Sequence, residues 1–297
     1  MPVLVFKGIQ GLADRLQMLS HCIRYCKENN TNLCVDWEDH VWGGLEFDFY
    51  RIFSIEGVKT MRKYKVKEIL DKKHPNIQPP CWTPLKIIHH ISKEEMNPIF
   101  QGTFQNSFDR VPGDVLVTNG EGLRTYDCRV LIEHLRFKPE IVEILKQRLQ
   151  HFQRNSLIIH LRGTDRHISE ADLEKAVETF NVSHLKKYVV TDEKELWDKF
   201  KAKVPDAELV NPNPALFRLP SSPHGTHQHF PKLLKENGIT KWEMVLDLLT
   251  DFTALILADK AGGRAESTFF YMARGIHNEG MESYIKLFNG VELGQST

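Results

Sequence analysis

The chain has 297 residues, of which 41% are hydrophobic and 26% are charged, and its 39 Lys and Arg residues balance 39 Asp and Glu residues. These values are typical of a globular protein whose core is large enough to need no disulfide or metal staple. The zero net charge argues against a nucleic-acid binder that relies on global charge, so we expect no nucleic-acid partner.

The cysteines and the apolar runs indicate the environment of the chain. Five scattered cysteines are too few and too dispersed for a disulfide framework, so we expect core thiols. No apolar run approaches the roughly 20 residues of a membrane span. The sequence therefore predicts a soluble chain in the cytoplasm or in another reducing compartment.

The chain begins with a strand, a helix and a second strand. Residues 3–6 predict the first strand, a repeat of apolar residues at helical spacing predicts a helix over 12–29, and Leu33–Asp36 predict the second strand. A βαβ unit requires a parallel sheet. Residues 38–112 show no long periodic pattern. Within them the basic run Met61–Lys73 is interpreted as a solvated face, with attraction of an anionic acceptor as the alternative.

The remaining elements repeat this alternation. A strand is predicted over 115–119 and a helix over Pro139–Phe152, with Pro in its first turn. The second half predicts strands over 156–161, 188–192, 208–210 and about 259–264, and helices over about 170–180, 193–203, 242–257 and from 267 onward. Two α/β halves predict two Rossmann-type domains, 1–150 and 151–297, that face each other across a cleft.

The segment Ser156–Arg166 has the most informative pattern, because an apolar strand ends in a dense polar cluster. His160, Arg162, Thr164 and Asp165 follow one another within this cluster. The planar guanidinium of Arg suits a phosphate group, to which it donates two parallel hydrogen bonds. An anionic ligand at this strand tip is therefore predicted, and a solvated turn with incidental charges is the alternative.

Two further polar sites follow in the second half. Thr191 and Asp192 end the next strand, and Ser267 and Thr268 open the last helix, where Ser267 is a predicted N-cap. The carboxyl ends of parallel strands meet at one edge of a sheet, and helix N-termini bind phosphates through free N–H groups. Together these groups favour a nucleoside diphosphate ligand, with a generic α/β surface as the alternative.

These motifs resemble those of a known enzyme family. The segment His160–Arg166 resembles the His-x-Arg-Arg-Thr-Asp-Lys signature of the α1,6- and related fucosyltransferases with the GT-B fold. Thr191-Asp192-Glu193 resembles the Thr-Asp-Asp strand tip of that superfamily, and the stretch from Asp251 through Asp259 to Ser267-Thr268-Phe269 is similar to its third motif. Gly8–Arg15 resembles its N-terminal glycine-containing loop, with Asp14 where Asn is usual.

The resemblance implies an inverting glycosyltransferase that moves a sugar, L-fucose from GDP-fucose, onto a hydroxyl of a glycan or glycoconjugate. Arg162 would bind the β-phosphate with Ser267 and Thr268, and His160 and Asp251 would recognise the base. The 1–150 domain would lie on the acceptor side and the 151–297 domain would bind the nucleotide sugar. The implied donor-binding residues are His160, Arg162, Thr164, Asp192, Asp251, Ser267, Thr268, Gly11 and Arg15.

The resemblance also implies three catalytic residues. Glu170 falls where the family has its general base, Arg166 where it has a Lys of the same relay, and Asp165 completes the group. A carboxylate suits this task because an inverting transfer must remove the proton of the acceptor hydroxyl. The alternative for Glu170 is an ordinary acid in the first turn of a helix after Ser169.

One departure from the family motif concerns the donor. Gly163 stands where the family has a second Arg, so a UDP-sugar such as UDP-xylose is an alternative donor, and a non-catalytic nucleotide- or glycan-binding module is a third possibility. No Asp-x-Asp occurs near a predicted strand end in the second half, so we expect no catalytic metal and no cofactor beyond the donor. His224–His229 is interpreted as a plain loop rather than a metal site. For Asp36–Asp39, acceptor binding or a base role is the alternative to a plain strand end.

Overall fold

The structure is a computed structural model that describes residues 2–8, 11–38, 48–72, 75–89, 113–118, 127–163, 168–219, 231–263 and 267–295. The chain divides into two units, Met1–Lys138 and Pro139–Thr297. We predicted a division near residue 150. It falls earlier because the helix Pro139–Arg148 packs against the helix Lys241–Leu257 of the second unit.

The first unit contains a parallel sheet with the strand order β2-β1-β5-β4 and a separate antiparallel pair, β3 and β6. Its described elements in chain order are β1 (Val3–Lys7), α1 (Leu12–Asn29), β2 (Asn32–Asp36), α2 (Phe49–Ile52), β3 (Phe53–Ile55), α3 (Lys63–Leu70), β4 (Ile77–Gln78), α4 (Pro84–Ile88), β5 (Val115–Thr118), α5 (Cys128–His134) and β6 (Leu135–Phe137).

Apolar side chains cover this sheet on the face that packs against α3 and α4. Val3 and Val5 of β1 pack there with Val66 and Leu70 of α3 and Ile87 of α4. The basic run predicted as a solvated face therefore contains the short helix α3, of which only Val66 and Leu70 are buried. The strands predicted at both ends of the first βαβ unit and the helix between them are confirmed.

The second unit contains a parallel sheet with the strand order β10-β7-β8-β9. Its described elements are α6 (Pro139–Arg148), β7 (Ser156–Leu161), α7 (Glu170–Asn181), β8 (Lys186–Thr191), α8 (Lys194–Lys203), β9 (Glu208–Leu209), a 3-10 turn (Ala215–Arg218), α9 (Pro231–Glu236), α10 (Lys241–Leu257), β10 (Lys260–Gly263), α11 (Thr268–Asn278), α12 (Met281–Tyr284) and a second 3-10 turn (Ile285–Phe288). The predicted α/β class with parallel sheets is confirmed.

The alternation of side chains along β7 decides which residues face the site. Leu157, Ile159 and Leu161 pack against α7 and α8 on one face of the sheet. Because successive side chains of a strand point to opposite faces, His160 points to the other face. That face is the one on which Ser267, at the start of α11, contacts the strand.

Two further expectations concern the cysteines and membrane spans. All five cysteines are free thiols; Cys22, Cys26, Cys34 and Cys128 are buried and Cys81 is partly buried, so the prediction of core thiols is confirmed for the first four. Within the described part of the chain, no helix combines the length and the apolar character needed to cross a membrane.

Candidate functional site at the carboxyl edge of the second sheet

The polar strand tips of the second unit meet at one edge, as the sequence predicted. Leu161, the last residue of β7, pairs in parallel register with Thr191, the last residue of β8. His160 pairs with Val190 on one side and with Gly263 of β10 on the other. The parallel register therefore brings the residues that follow β7 and β8 side by side.

His160 connects this edge to the start of α11. Its ring is 7% exposed, its Nδ1 lies 3.4 Å from the Oγ of Ser267, and its centroid lies 5.5 Å from the ring of Phe269. Burial lowers the pKa of His160, the charge of Asp192 opposes this effect and that of Arg162 adds to it, and the resulting pKa is about 4. The imidazole is therefore neutral at physiological pH and serves as a hydrogen-bonding group rather than as a cation.

Ser267 begins the helix α11 as its N-cap. Its Oγ accepts a hydrogen bond from the backbone N–H of Phe270 at 3.4 Å, and its side chain is buried. Thr268 is the first helical residue and is partly exposed. The first turn of a helix offers N–H groups and a positive dipole end, which suit a phosphate. The predicted N-cap is confirmed.

Two backbone N–H groups near the tip of β7 donate hydrogen bonds. The N–H of Gly163 donates to Oδ1 of Asp192 at 2.9 Å, which joins the tips of β7 and β8. The N–H of Ile168 donates to the carbonyl oxygen of Arg162 at 3.0 Å. Thr164, Asp165 and Arg166 lie outside the described residues, as does the segment His224–His229.

A cleft of about 430 Å³ lies beside Gly163. Arg162 and Glu170 both line it, and Leu173 and Leu196 contribute its apolar part. Glu170 is exposed at the first position of α7. Arg162, the predicted phosphate-binding residue, and Glu170, the predicted general base, therefore line one cavity of the second unit.

The helix α7 does not need Glu170 as a cap. Ser169 is its N-cap, and the Ser169 Oγ accepts from the N–H of Asp172 at 3.1 Å and donates to the Asp172 carboxylate at 2.6 Å. The capping pair is therefore formed by Ser169 and Asp172. This arrangement leaves Glu170 at the rim of the cleft with no part in that pair.

Asp251 on α10 is the most perturbed acid near this edge. Burial raises its pKa well above the ordinary value, the negative charges of Asp247 and Asp192 raise it further, and Arg148 opposes them. The pKa of Asp251 thus depends in part on Asp192, a residue of the strand tips. A carboxyl group of this kind gains when a ligand N–H donor compensates its charge.

Asp247, one helical turn before Asp251, is a site-supporting residue that the sequence analysis missed. It is 5% exposed, its Oδ1 accepts from Nη1 of Arg148 at 2.6 Å, and its Oδ2 accepts from the N–H of Ala215 at 2.7 Å. It therefore fixes the segment at Ala215 and the helix α6 to α10. The i, i+4 spacing from Asp251 is the sequence signal that would have found it.

The other two predicted donor-binding residues, Gly11 and Arg15, belong to the first unit. Gly11 is the N-cap of α1, and its carbonyl oxygen accepts from the N–H of Arg15 at 3.0 Å. Arg15 is 3% exposed; its Nη1 donates to the carbonyl oxygen of Trp37 at 3.1 Å, and its guanidinium lies 5.6 Å from the Trp37 ring centroid. Arg15 thus supports the end of β2, and its donor contact stays a prediction.

Asp36 is unsuited to the base role that was its alternative interpretation. Burial alone would raise its pKa, but the ammonium groups of Lys7 and Lys63, each 2.8 Å from Oδ2, outweigh that effect and lower it. A buried carboxylate with a lowered pKa and two cationic partners is a weak proton acceptor. Asp36 instead joins the tip of β1 to that of β2 and to α3.

Comparison with solved structures identifies the fold. The fucosyltransferase NodZ from Bradyrhizobium matches with a TM-score of 0.63 at 17% identity, over 92% of this chain and 93% of that one. NodZ α-1,6-fucosyltransferase soaked with GDP-fucose matches with a TM-score of 0.60 at 19% identity, over 92% of each chain. POFUT1 in complex with GDP-fucose matches with a TM-score of 0.52 at 13% identity, again over 92% of each chain.

The chain has the fold of these fucosyltransferases. The resemblance that the motifs indicated is therefore confirmed at the level of the fold, and it extends over nearly the whole chain. No protein-family model matches the chain, and no curated protein sequence matches it significantly.

Proposed function

We propose that the protein is an inverting glycosyltransferase that uses a nucleoside diphosphate sugar, GDP-fucose, and transfers the sugar to a glycan hydroxyl. The observation that supports this most is the meeting of His160, Asp192 and Ser267 at the carboxyl edge of one parallel sheet. That edge is where open α/β sheets bind their ligands. The fold match to fucosyltransferases that hold GDP-fucose adds independent support.

In this proposal the diphosphate is bound by Arg162 and by the first turn of α11. Arg162 is partly exposed, lines the cleft, and provides two parallel N–H donors for phosphate oxygens. The hydroxyls of Ser267 and Thr268 and backbone N–H groups of that turn complete the set of groups that bind the phosphates. These groups stabilise the charge that develops on the departing diphosphate, so no metal ion is required in the proposed reaction.

The chemical step requires a base on the acceptor side of the sugar. The Glu170 carboxylate takes the proton of the acceptor hydroxyl, the hydroxyl oxygen forms a bond to the anomeric carbon, and the bond between that carbon and the phosphate oxygen breaks. The electron pair of the broken bond stays on the nucleoside diphosphate. Because attack and departure occur on opposite faces, the anomeric configuration inverts.

The base of the nucleotide is assigned to Asp251 and His160. A guanine ring offers adjacent N–H donors, which would compensate the ionised Asp251 carboxylate that burial disfavours. The Asp192 carboxylate accepts a hydrogen bond from the Gly163 N–H and so supports the donor site. The roles of Thr164, Asp165, Arg166, Gly11 and Arg15, and an arrangement of two facing domains with the acceptor on the first, stay predictions of the resemblance.

A nucleotide panel tests this proposal. Thermal unfolding of the protein in EDTA is measured with GDP, UDP, GDP-fucose and UDP-xylose, and donor cleavage is followed by NMR. GDP and GDP-fucose are expected to stabilise the fold by about 2.7 kcal/mol at a hundredfold excess over Kd, with slow EDTA-insensitive cleavage of GDP-fucose. Selective stabilisation by UDP would favour the UDP-sugar donor over GDP-fucose. Binding of a nucleotide sugar without its cleavage would indicate a non-catalytic binding module. No response to any nucleotide would refute the proposal.

A further inference from the structure

Gly163 lies in direct contact with the side chain of Glu193, which follows Asp192 at the tip of β8. A Cβ atom at position 163 would overlap the Glu193 carboxylate, and it would lie 2.6 Å from the Glu193 Cβ and 2.9 Å from its Cδ. The φ angle of Gly163 lies outside the left-handed region that favours glycine. Glycine is therefore required at this position by the neighbouring side chain and not by the backbone conformation.

Asp192 and Glu193 contact Gly163 in different ways. Asp192 accepts the Gly163 N–H at 2.9 Å, whereas Glu193 fills the space where a side chain at 163 would stand. Because the two acids are consecutive, their side chains leave the chain in different directions. The tip of β8 thus fixes the backbone at Gly163 both by a hydrogen bond and by close packing.

The direction of the chain at Gly163 determines where the preceding side chain lies, and that side chain is Arg162. Arg162 and Glu193 line the same cleft. We propose that Glu193 is a positioning residue for the Arg162 guanidinium. Gly163 makes this possible, because its lack of a side chain leaves room for Glu193. This role rests on the proposed function, because it assumes that Arg162 binds the diphosphate of the donor.

A double-mutant cycle tests the pair. Gly163→Ala, Glu193→Ala and the double variant are compared with the wild-type protein by calorimetric titration with GDP and by urea unfolding. Gly262→Ala is the matched control, because a Cβ there would lie 3.9 Å from Ile159, an ordinary contact in the same sheet. Gly163→Ala should weaken GDP binding by about tenfold through overpacking, and Gly262→Ala should leave it unchanged.

The double variant decides the question. Glu193→Ala removes the positioning side chain, so it should itself weaken GDP binding; it also frees the space at position 163, so adding Gly163→Ala to it should cost no further affinity. Wild-type GDP affinity in Glu193→Ala, or a double variant in which the losses of the two single variants add, would overturn the positioning role alone. Failure of the wild-type protein to bind GDP would instead overturn the proposed function and this role with it.

Discussion

The Oγ of Ser267 lies 3.4 Å from Nδ1 of His160, a contact between residues 107 positions apart. It joins the first turn of α11 to the tip of β7, the strand that Arg162 follows. Ser267 also accepts the Phe270 N–H as the cap of its helix. One hydroxyl therefore serves both the stability of α11 and the proposed phosphate site.

These two roles of Ser267 are separable by a matched pair of variants. Ser267→Ala and Ser169→Ala each remove an N-cap hydroxyl, from α11 and α7, so each should lower the free energy of unfolding by about 1 kcal/mol. Only Ser267→Ala should also weaken GDP binding, by about tenfold, because it removes a donor to a charged oxygen. Urea unfolding and calorimetric titration measure the two effects, and equal GDP affinities for the two variants would contradict the phosphate role.

The second prediction concerns Asp251 and pH. Its pKa is raised in the folded protein by burial and by the charges of Asp247 and Asp192, so the native state binds a proton more tightly than the unfolded state. Stability is then lost as the pH rises from the unfolded pKa through the raised one. Asp251→Asn cannot ionise, so its stability should exceed that of the wild-type protein at the alkaline end of this window, while its GDP affinity falls.

Urea unfolding at a series of pH values between about 4 and 8 follows this effect, since the ordinary carboxyl pKa lies near the acid end. Asp198→Asn, at an exposed position paired with Lys194, is the control and should keep the pH dependence of the wild-type protein, because it retains Asp251. If Asp251→Asn were less stable than the wild-type protein at the alkaline end, the buried and charge-crowded environment assigned to Asp251 would be wrong.

The third prediction separates catalysis from binding at the cleft. Glu170→Gln keeps the shape of the side chain but cannot accept a proton, so kcat for transfer should fall by about a hundredfold or more with GDP affinity unchanged. Glu174→Gln changes another acid of the same cleft, one that is paired with Lys203, and should leave kcat within about twofold. Steady-state kinetics gives the comparison, and equal kcat values for the two variants would remove the base role from Glu170.

The sequence predicted the parts of the fold in which burial follows a clear period. The apolar runs of β7 and β8 and the helical repeat of α1 are of this kind. The helix α3 was missed because its buried positions, Val66 and Leu70, stand among lysines. The antiparallel pair β3 and β6 was missed because its strands are three residues long, too short to show an alternation.

The sequence predicted the strand tips of the candidate site but not the residues that support them. The places of Arg162 after a strand and of Ser267 at a helix start could be predicted, because a polar cluster after a buried strand and an N-cap before a helix are local patterns; their roles in ligand binding stay predictions. Glu193 and Asp247 act through contacts with Gly163 and Ala215, which only the folded chain brings near them. The burial of Arg15 against Trp37 likewise follows from tertiary packing and not from its place in a glycine-containing loop.

The central claim is that Arg162 binds the diphosphate of a nucleotide, and calorimetric titration of GDP into Arg162→Ala tests it most directly. Arg154→Ala is the control, since Arg154 precedes the amino end of β7, where it pairs with Glu292, and Arg162 follows the carboxyl end. Loss of a bidentate, charge-assisted contact should weaken GDP binding by about a hundredfold in Arg162→Ala, with Arg154→Ala close to the wild-type protein. Wild-type GDP affinity in a folded Arg162→Ala variant would contradict the account.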